Sequence, residues 1–196
     1  MKLHHAIAAG SALTLAFAAT ELVAQQGIKA CGLITTAEIS SLGIRSGAKP
    51  EGTTVPVKKG EGGAPTDMAM SVCAHAGSGT WDGANLTVIS AKERVTEKQL
   101  NAWLDSDREA GKGNSPRGEQ KVRQALCSTA SVPARTDKAG ATVTKIPAQY
   151  VASCSRFAGE RFISIDVVQV DKSLAPKLET VSDVLEKAIA RLATLK

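Results

Sequence analysis

The sequence predicts an α+β domain in which an antiparallel sheet of about five strands carries helices mainly on one face and disulfides brace the whole. Three observations carry that expectation. Alternating apolar and polar runs are grouped in pairs around turn-rich segments. Capping boxes and one long apolar stripe at steps of three and four mark helices. Four cysteines follow an export signal. The chain has 196 residues, the length of one domain of ordinary size. Its 43% hydrophobic content can form a core, while 17 Gly and 7 Pro are too few for a collagen repeat. It carries no heptad array, phosphate-binding loop or dinucleotide fingerprint.

Residues 1–24 read as a signal peptide, which leaves 25–196 as a single exported domain, periplasmic or secreted. Lys2 with His4 and His5 forms a short basic start, and Ala6 to Ala19 is apolar apart from small and hydroxyl residues. Leu22-Val23-Ala24 offers a small residue before a cut at Gln25, with Ala16-Phe17-Ala18 as a second site. The apolar run falls short of the roughly 20 residues that cross a bilayer, which favours a cleaved signal over an uncleaved anchor, and after cleavage the chain is not expected to span a membrane.

The first helix begins at the capping box Thr35-Thr36-Ala37-Glu38, buries Ile39 and Leu42, and ends at Gly43, which can take the left-handed conformation. Residues 44–66 are rich in Gly, Pro, Lys and Thr, and the stretch Lys58-Lys59-Gly60-Glu61-Gly62-Gly63 in particular reads as a mobile loop. Asp67 to Ala76 and Ala84 to Ala91 form a hairpin around Gly77 to Gly83. A second helix starts at the box Thr96 to Gln99, with Leu100, Trp103 and Leu104 on one face. A polar loop follows at Gly111 to Gly118. Ala141 to Ile146 is a further strand, and Gln149 to Phe157 with Arg161 to Val170 is a second hairpin. The last helix carries Val181, Val184, Leu185, Ala188, Ile189, Leu192 and Leu195 as one stripe. A cysteine-bearing strand, its hairpin partner and a helix thus occur at both 68–110 and 149–195. Internal duplication and the plain likeness of any two hairpin–helix units both account for this.

Cys31, Cys73, Cys127 and Cys154 are an even set in an exported chain, which predicts two disulfides. Three pairings are open. Cys31–Cys73 with Cys127–Cys154 is favoured, because each then ties a segment to the next strand of its own half. Each closure would contribute roughly 3.5–4 kcal/mol on the chain-entropy model. Zinc normally needs closely spaced cysteine pairs, and the spacing here is too wide.

The net charge is +5, and loss of Lys2 and Glu21 with the signal leaves it unchanged. Cations are dispersed at Lys58-Lys59, Arg117, Lys121, Arg123, Arg156 and Arg161, and aromatics make up only 3% of the chain. Basic–aromatic interleaving for base stacking is missing, so nucleic acid is not an expected partner. Met68, Met70, Cys73 and His75 together suggest a soft-metal site. Strand alternation, however, sets the methionines on one face and Cys73 with His75 on the other. A thiol nucleophile at Cys73 with His75 as its base would need that cysteine free. Asp105, Asp107 and Glu109 adjoin a polar loop and read as a solvated charge run. No side chain is assigned a catalytic or metal-binding role, and no cofactor is expected.

The segment Cys31-Gly-Leu-Ile-Thr-Thr-Ala-Glu-Ile-Ser-Ser-Leu-Gly43 resembles the opening of a group of small bacterial secreted proteins and lipoproteins of unknown function. Their mature domains begin C-x-L-L-T-x-x-E-(I/V), reach L-G a few residues later, and close with a helix carrying an Ala-x-x-x-Leu stripe, as Ala188 and Leu192 do here. The resemblance implies a compact α+β domain with Cys31 joined to Cys73. This chain departs from the group in its second cysteine pair and in Lys29, which sits where a lipid-attachment site wants a small residue.

The functional expectation is an exported, non-enzymatic domain that binds a protein or a cell-envelope component through its long polar loops. The alternative is a thiol- or metal-dependent enzyme or metal-binding protein using Cys73 and His75. A third class, electrostatic binding to wall polymer or lipid, predicts retention on anionic material that vanishes by about 0.5 M salt.

Overall fold

The two best alternating runs lie side by side at the centre of one sheet. There β3 (Gly83–Ala91) pairs antiparallel with β9 (Arg161–Gln169), setting Leu86 opposite Ile165 and Val88 opposite Ile163. The structure, a computed structural model, describes residues 29–45, 49–77, 81–109, 120–139 and 142–195. The expected signal peptide at 1–24, the expected polar loop at 111–118 and Ser78 to Thr80 lie outside these residues.

From that centre β2 (Met68–Ala76) and β1 (Glu51–Val57) extend the sheet on one side. On the other side come β8 (Gln149–Ala158), β5 (Ala125–Val132) and β4 (Gln120–Val122). Every neighbouring pair is antiparallel. A two-stranded ribbon, β6 (Arg135–Ala139) and β7 (Thr142–Ile146), leaves the sheet between β5 and β8. Among the described residues three α-helices complete the fold: α1 (Thr36–Ser41), α2 (Glu97–Glu109) and α3 (Leu178–Thr194).

The two faces of the sheet are covered unequally. On one, Cys73, Leu86, Val88, Cys127, Cys154, Ile163, Ile165 and Val167 form the main core with Ile39 of α1 and Val181, Val184, Leu185, Ala188 and Leu192 of α3. On the other, Met68, Ile89 and Phe162 pack under Leu100 and Trp103 of α2. A two-fold axis normal to the sheet would superpose the β2–β3 and β8–β9 hairpins and place both following helices on one face. Instead α2 and α3 lie on opposite faces. Both capping boxes form. Thr35 Oγ1 accepts from the Glu38 N–H while Glu38 accepts from the Thr35 N–H, and Thr96 and Gln99 repeat the arrangement. Gly43 ends the first helix at φ 78°.

The antiparallel α+β architecture stands, and the sheet is wider than the expected five strands. Residues 44–66 are not a loop throughout, because β1 occupies 51–57 and hydrogen-bonds along β2. Its Thr and Val residues favour strand, but six of its seven residues are exposed, so the apolar alternation that signals a strand is missing. β5, with the sequence ALCSTASV, is hidden by the same small, polar composition. Both become strands through ladder hydrogen bonds with partners remote in sequence. At the β4–β5 turn Arg123 takes φ 55°, and its guanidinium donates to Asp183 of α3 at 2.8 Å, tying this short edge hairpin to the helix.

Candidate functional site

Period-two alternation puts Cys73 and His75 on the same face of β2, and the structure brings them into contact. His75 Nε2 lies 3.4 Å from Cys73 Sγ. Cys73 is joined to Cys31, and Cys127 to Cys154, so there is no free cysteine among the described residues. The favoured pairing is therefore the observed one. A free-thiol nucleophile at Cys73 is not available in this oxidised form. Met68 packs in the α2-side core, on the opposite face from Cys73. Among the described residues no three His, Cys, Asp or Glu side chains converge as a metal site would require. Burial holds the His75 imidazole below its ordinary pKa, which keeps the ring neutral at physiological pH. Asp105 is exposed on α2, while the side chains of Asp107 and Glu109 lie outside the described residues.

Two surface features went unseen in the sequence. The first is a cleft of 450 Å³ between α2 and the β4–β5–β8 side of the sheet. Its walls include Glu97, Asn101, Lys121 and Leu126, and its floor is Phe157 and Phe162. The two rings meet edge to face with centroids 5.4 Å apart. Arg156, at its rim, reaches to Glu186 of α3. Beyond the cleft the sheet face carries small polar side chains. Asn85, Asp166, Ser153 and Ser128 form one row across four strands, with Ser153 Oγ donating to Asp166.

The second feature is the ribbon. Arg135 pairs with Ile146, Thr136 with Lys145, Asp137 with Thr144 and Lys138 with Val143. Its strands contact chiefly each other. Ile146 at the root is buried, whereas Val143 is 57% exposed, the most exposed large aliphatic residue among those described. Ala134, Arg135, Thr136, Lys145, Ile146 and Pro147 line a groove at its root. Below the root, Cys127 and Cys154 sit directly opposite each other on β5 and β8 and staple together the two strands from which the ribbon springs.

No sequence signal pointed to either feature, since a cleft and a projecting arm depend on which elements the sheet order places together. No helix among the described residues is long and apolar enough to cross a membrane. Comparison with protein-family models, with curated proteins and with solved structures finds no match to this chain.

Proposed function

We propose that the protein is an exported binding domain, periplasmic or secreted, that presents the β6–β7 ribbon to a protein or cell-envelope component. The observation that carries this reading is a two-stranded ribbon that packs on little of its own chain while exposing Val143. An isolated hairpin is at best marginally stable in water, so an arm of this kind gains its order and its use from a surface it meets. The signal-like residues 1–24 and the two disulfides support export, as does the resemblance of residues 31–43 to small secreted bacterial proteins. The Cys127–Cys154 staple suits the same role, because it holds the strands beneath the arm in fixed register.

The test is site-specific photocrosslinking from position 143, with position 55 on the far sheet edge as control, in cells exporting the protein. Adducts of one defined mass from 143 and none from 55 are expected, and they should vanish when residues 135–146 are replaced by a short Gly-Ser turn. Thermal unfolding should show that this variant stays folded. Equal labelling from both positions, or no adduct from 143, would overturn the reading.

A further inference from the structure

The two disulfides are not equivalent. Cys127 and Cys154 are both wholly buried. In the other bridge Cys73 is wholly buried, but Cys31 is only partly so. Beside Cys31 Sγ lies Gly52, an exposed residue of the edge strand, where even a Cβ would come within 3.1 Å of the sulfur. Glycine at this edge position lets Cys31 Sγ lie against the exposed strand with no side chain of residue 52 over it, while the other sulfur faces His75.

We propose that Cys31–Cys73 is a thiol–disulfide exchange site that takes an incoming thiolate at Cys31 and releases Cys73 as a thiolate hydrogen-bonded by His75. The incoming thiolate forms a bond to Cys31 Sγ, the Cys31–Cys73 bond breaks, and its electron pair stays on Cys73 Sγ. With its proton on Nε2, the neutral imidazole donates to that sulfur from 3.4 Å. A stabilised leaving thiolate speeds exchange. A second thiolate that attacks the mixed disulfide then leaves Cys31 reduced as well. Two thiols are thereby oxidised to a disulfide and the protein bridge is reduced by two electrons.

Opening is local. Arg191 of α3 still holds the segment after Cys31 by donating to the Leu33 carbonyl at 2.8 Å and to both Glu38 oxygens. Leu33 and Ile39 remain in the core. Access to a sulfur that is only partly exposed beside the edge strand selects thiols on small or extended carriers, such as glutathione or a cysteine in an unfolded peptide.

The test treats the oxidised, processed protein with reduced glutathione in native buffer, followed by acid quenching, alkylation and peptide mapping. Three results are expected. Glutathione appears on Cys31 with Cys73 alkylated and Cys127–Cys154 intact. The rate does not change with urea below the unfolding transition. His75→Phe slows the reaction about tenfold, whereas His75→Gln, which keeps a donor, slows it less. Gly52→Val, whose Cβ alone would meet the Cys31 sulfur at 3.1 Å, crowds that sulfur directly and should slow the reaction, and it keeps the test open should a His75 variant fail to fold. Reduction of both bridges together at a rate rising with urea, an adduct on Cys73, or parent rates in both His75→Phe and Gly52→Val would overturn the proposal.

Discussion

Glu38 illustrates how much one side chain can be asked to do. It closes the capping box of α1 and also receives a bidentate contact from Arg191 on α3, at 2.7 and 2.8 Å, although 153 residues separate the two. Burial pushes its carboxyl upward. The Arg191 hydrogen bonds, the Thr35 N–H and hydroxyl, and the Arg191 charge outweigh that and hold it below the ordinary carboxylate range. Asp183 is lowered in the same direction by its hydrogen bonds to Lys187 and Arg123. A carboxyl whose pKa is lower in the folded state contributes stability that is complete above the unfolded value. That stability is lost as pH falls through the folded value. Thermal stability should therefore decline in the acid range. Arg191→Leu should cost about 1–3 kcal/mol near neutral pH, because it strands a buried carboxylate. The cost should shrink as pH falls through the range in which Glu38 becomes protonated in the parent, where the Arg191 contact loses its charged partner. A pH series of melts checks this, and a cost that does not change with pH would refute it.

At the scale of the element, β1 is an edge strand that the chain protects with proline. Backbone hydrogen bonds Lys92 N–H to Asp67 O and Gly77 N–H to Asp82 O bracket the β2–β3 ladder, so odd-numbered residues of β2 bond to β3 and even-numbered ones to β1. The register then points Glu51, Thr53, Val55 and Val57 inward and leaves Gly52, Thr54 and Pro56 facing out. Pro56 has no N–H to offer, and Pro50 precedes the strand in the same phase, so only Gly52 and Thr54 present outward donors. The opposite edge is shortened instead, with only three residues in β4. Pro56→Thr should leave the melting temperature within a few degrees of the parent but increase concentration-dependent self-association. Sedimentation velocity reads this directly. A variant as monodisperse as the parent would mean that Pro56 does not guard the edge.

For the whole molecule, covalent bracing and packing divide the work. Cys31–Cys73 fastens the N-terminal segment to the β1–β2 side, and Cys127–Cys154 fastens β5 to β8 beneath the ribbon. The second bridge closes a separation of 27 residues that includes the entire ribbon. Converting both of its cysteines to Ala should lower unfolding stability by about 3.5 kcal/mol on the chain-entropy model. The secondary structure should be kept, because α3 still packs on β8 and β9. Urea titration followed by circular dichroism measures both quantities. A loss below about 1 kcal/mol would place the bracing in the packing rather than in the bond.

What the sequence determined by itself is whatever local chemistry writes. The Thr35 and Thr96 capping boxes, the two hairpins with clear alternation, the α3 stripe and the shared face of Cys73 and His75 each depend on residues a few positions apart. The fold class follows from those elements, and of the three open cysteine pairings the one they favour is the one observed. Only the tertiary structure decided that Thr- and Ser-rich segments at 51–57 and 125–132 are strands, because their stability lies in ladders with distant partners rather than in their own side chains. The same holds for the placement of α2 opposite α3, the cleft, the projecting ribbon and the unequal exposure of the two disulfides. The candidate sites belong to this second group. They arise where segments remote in sequence meet, and a short window of sequence holds no trace of which neighbour the sheet order will supply.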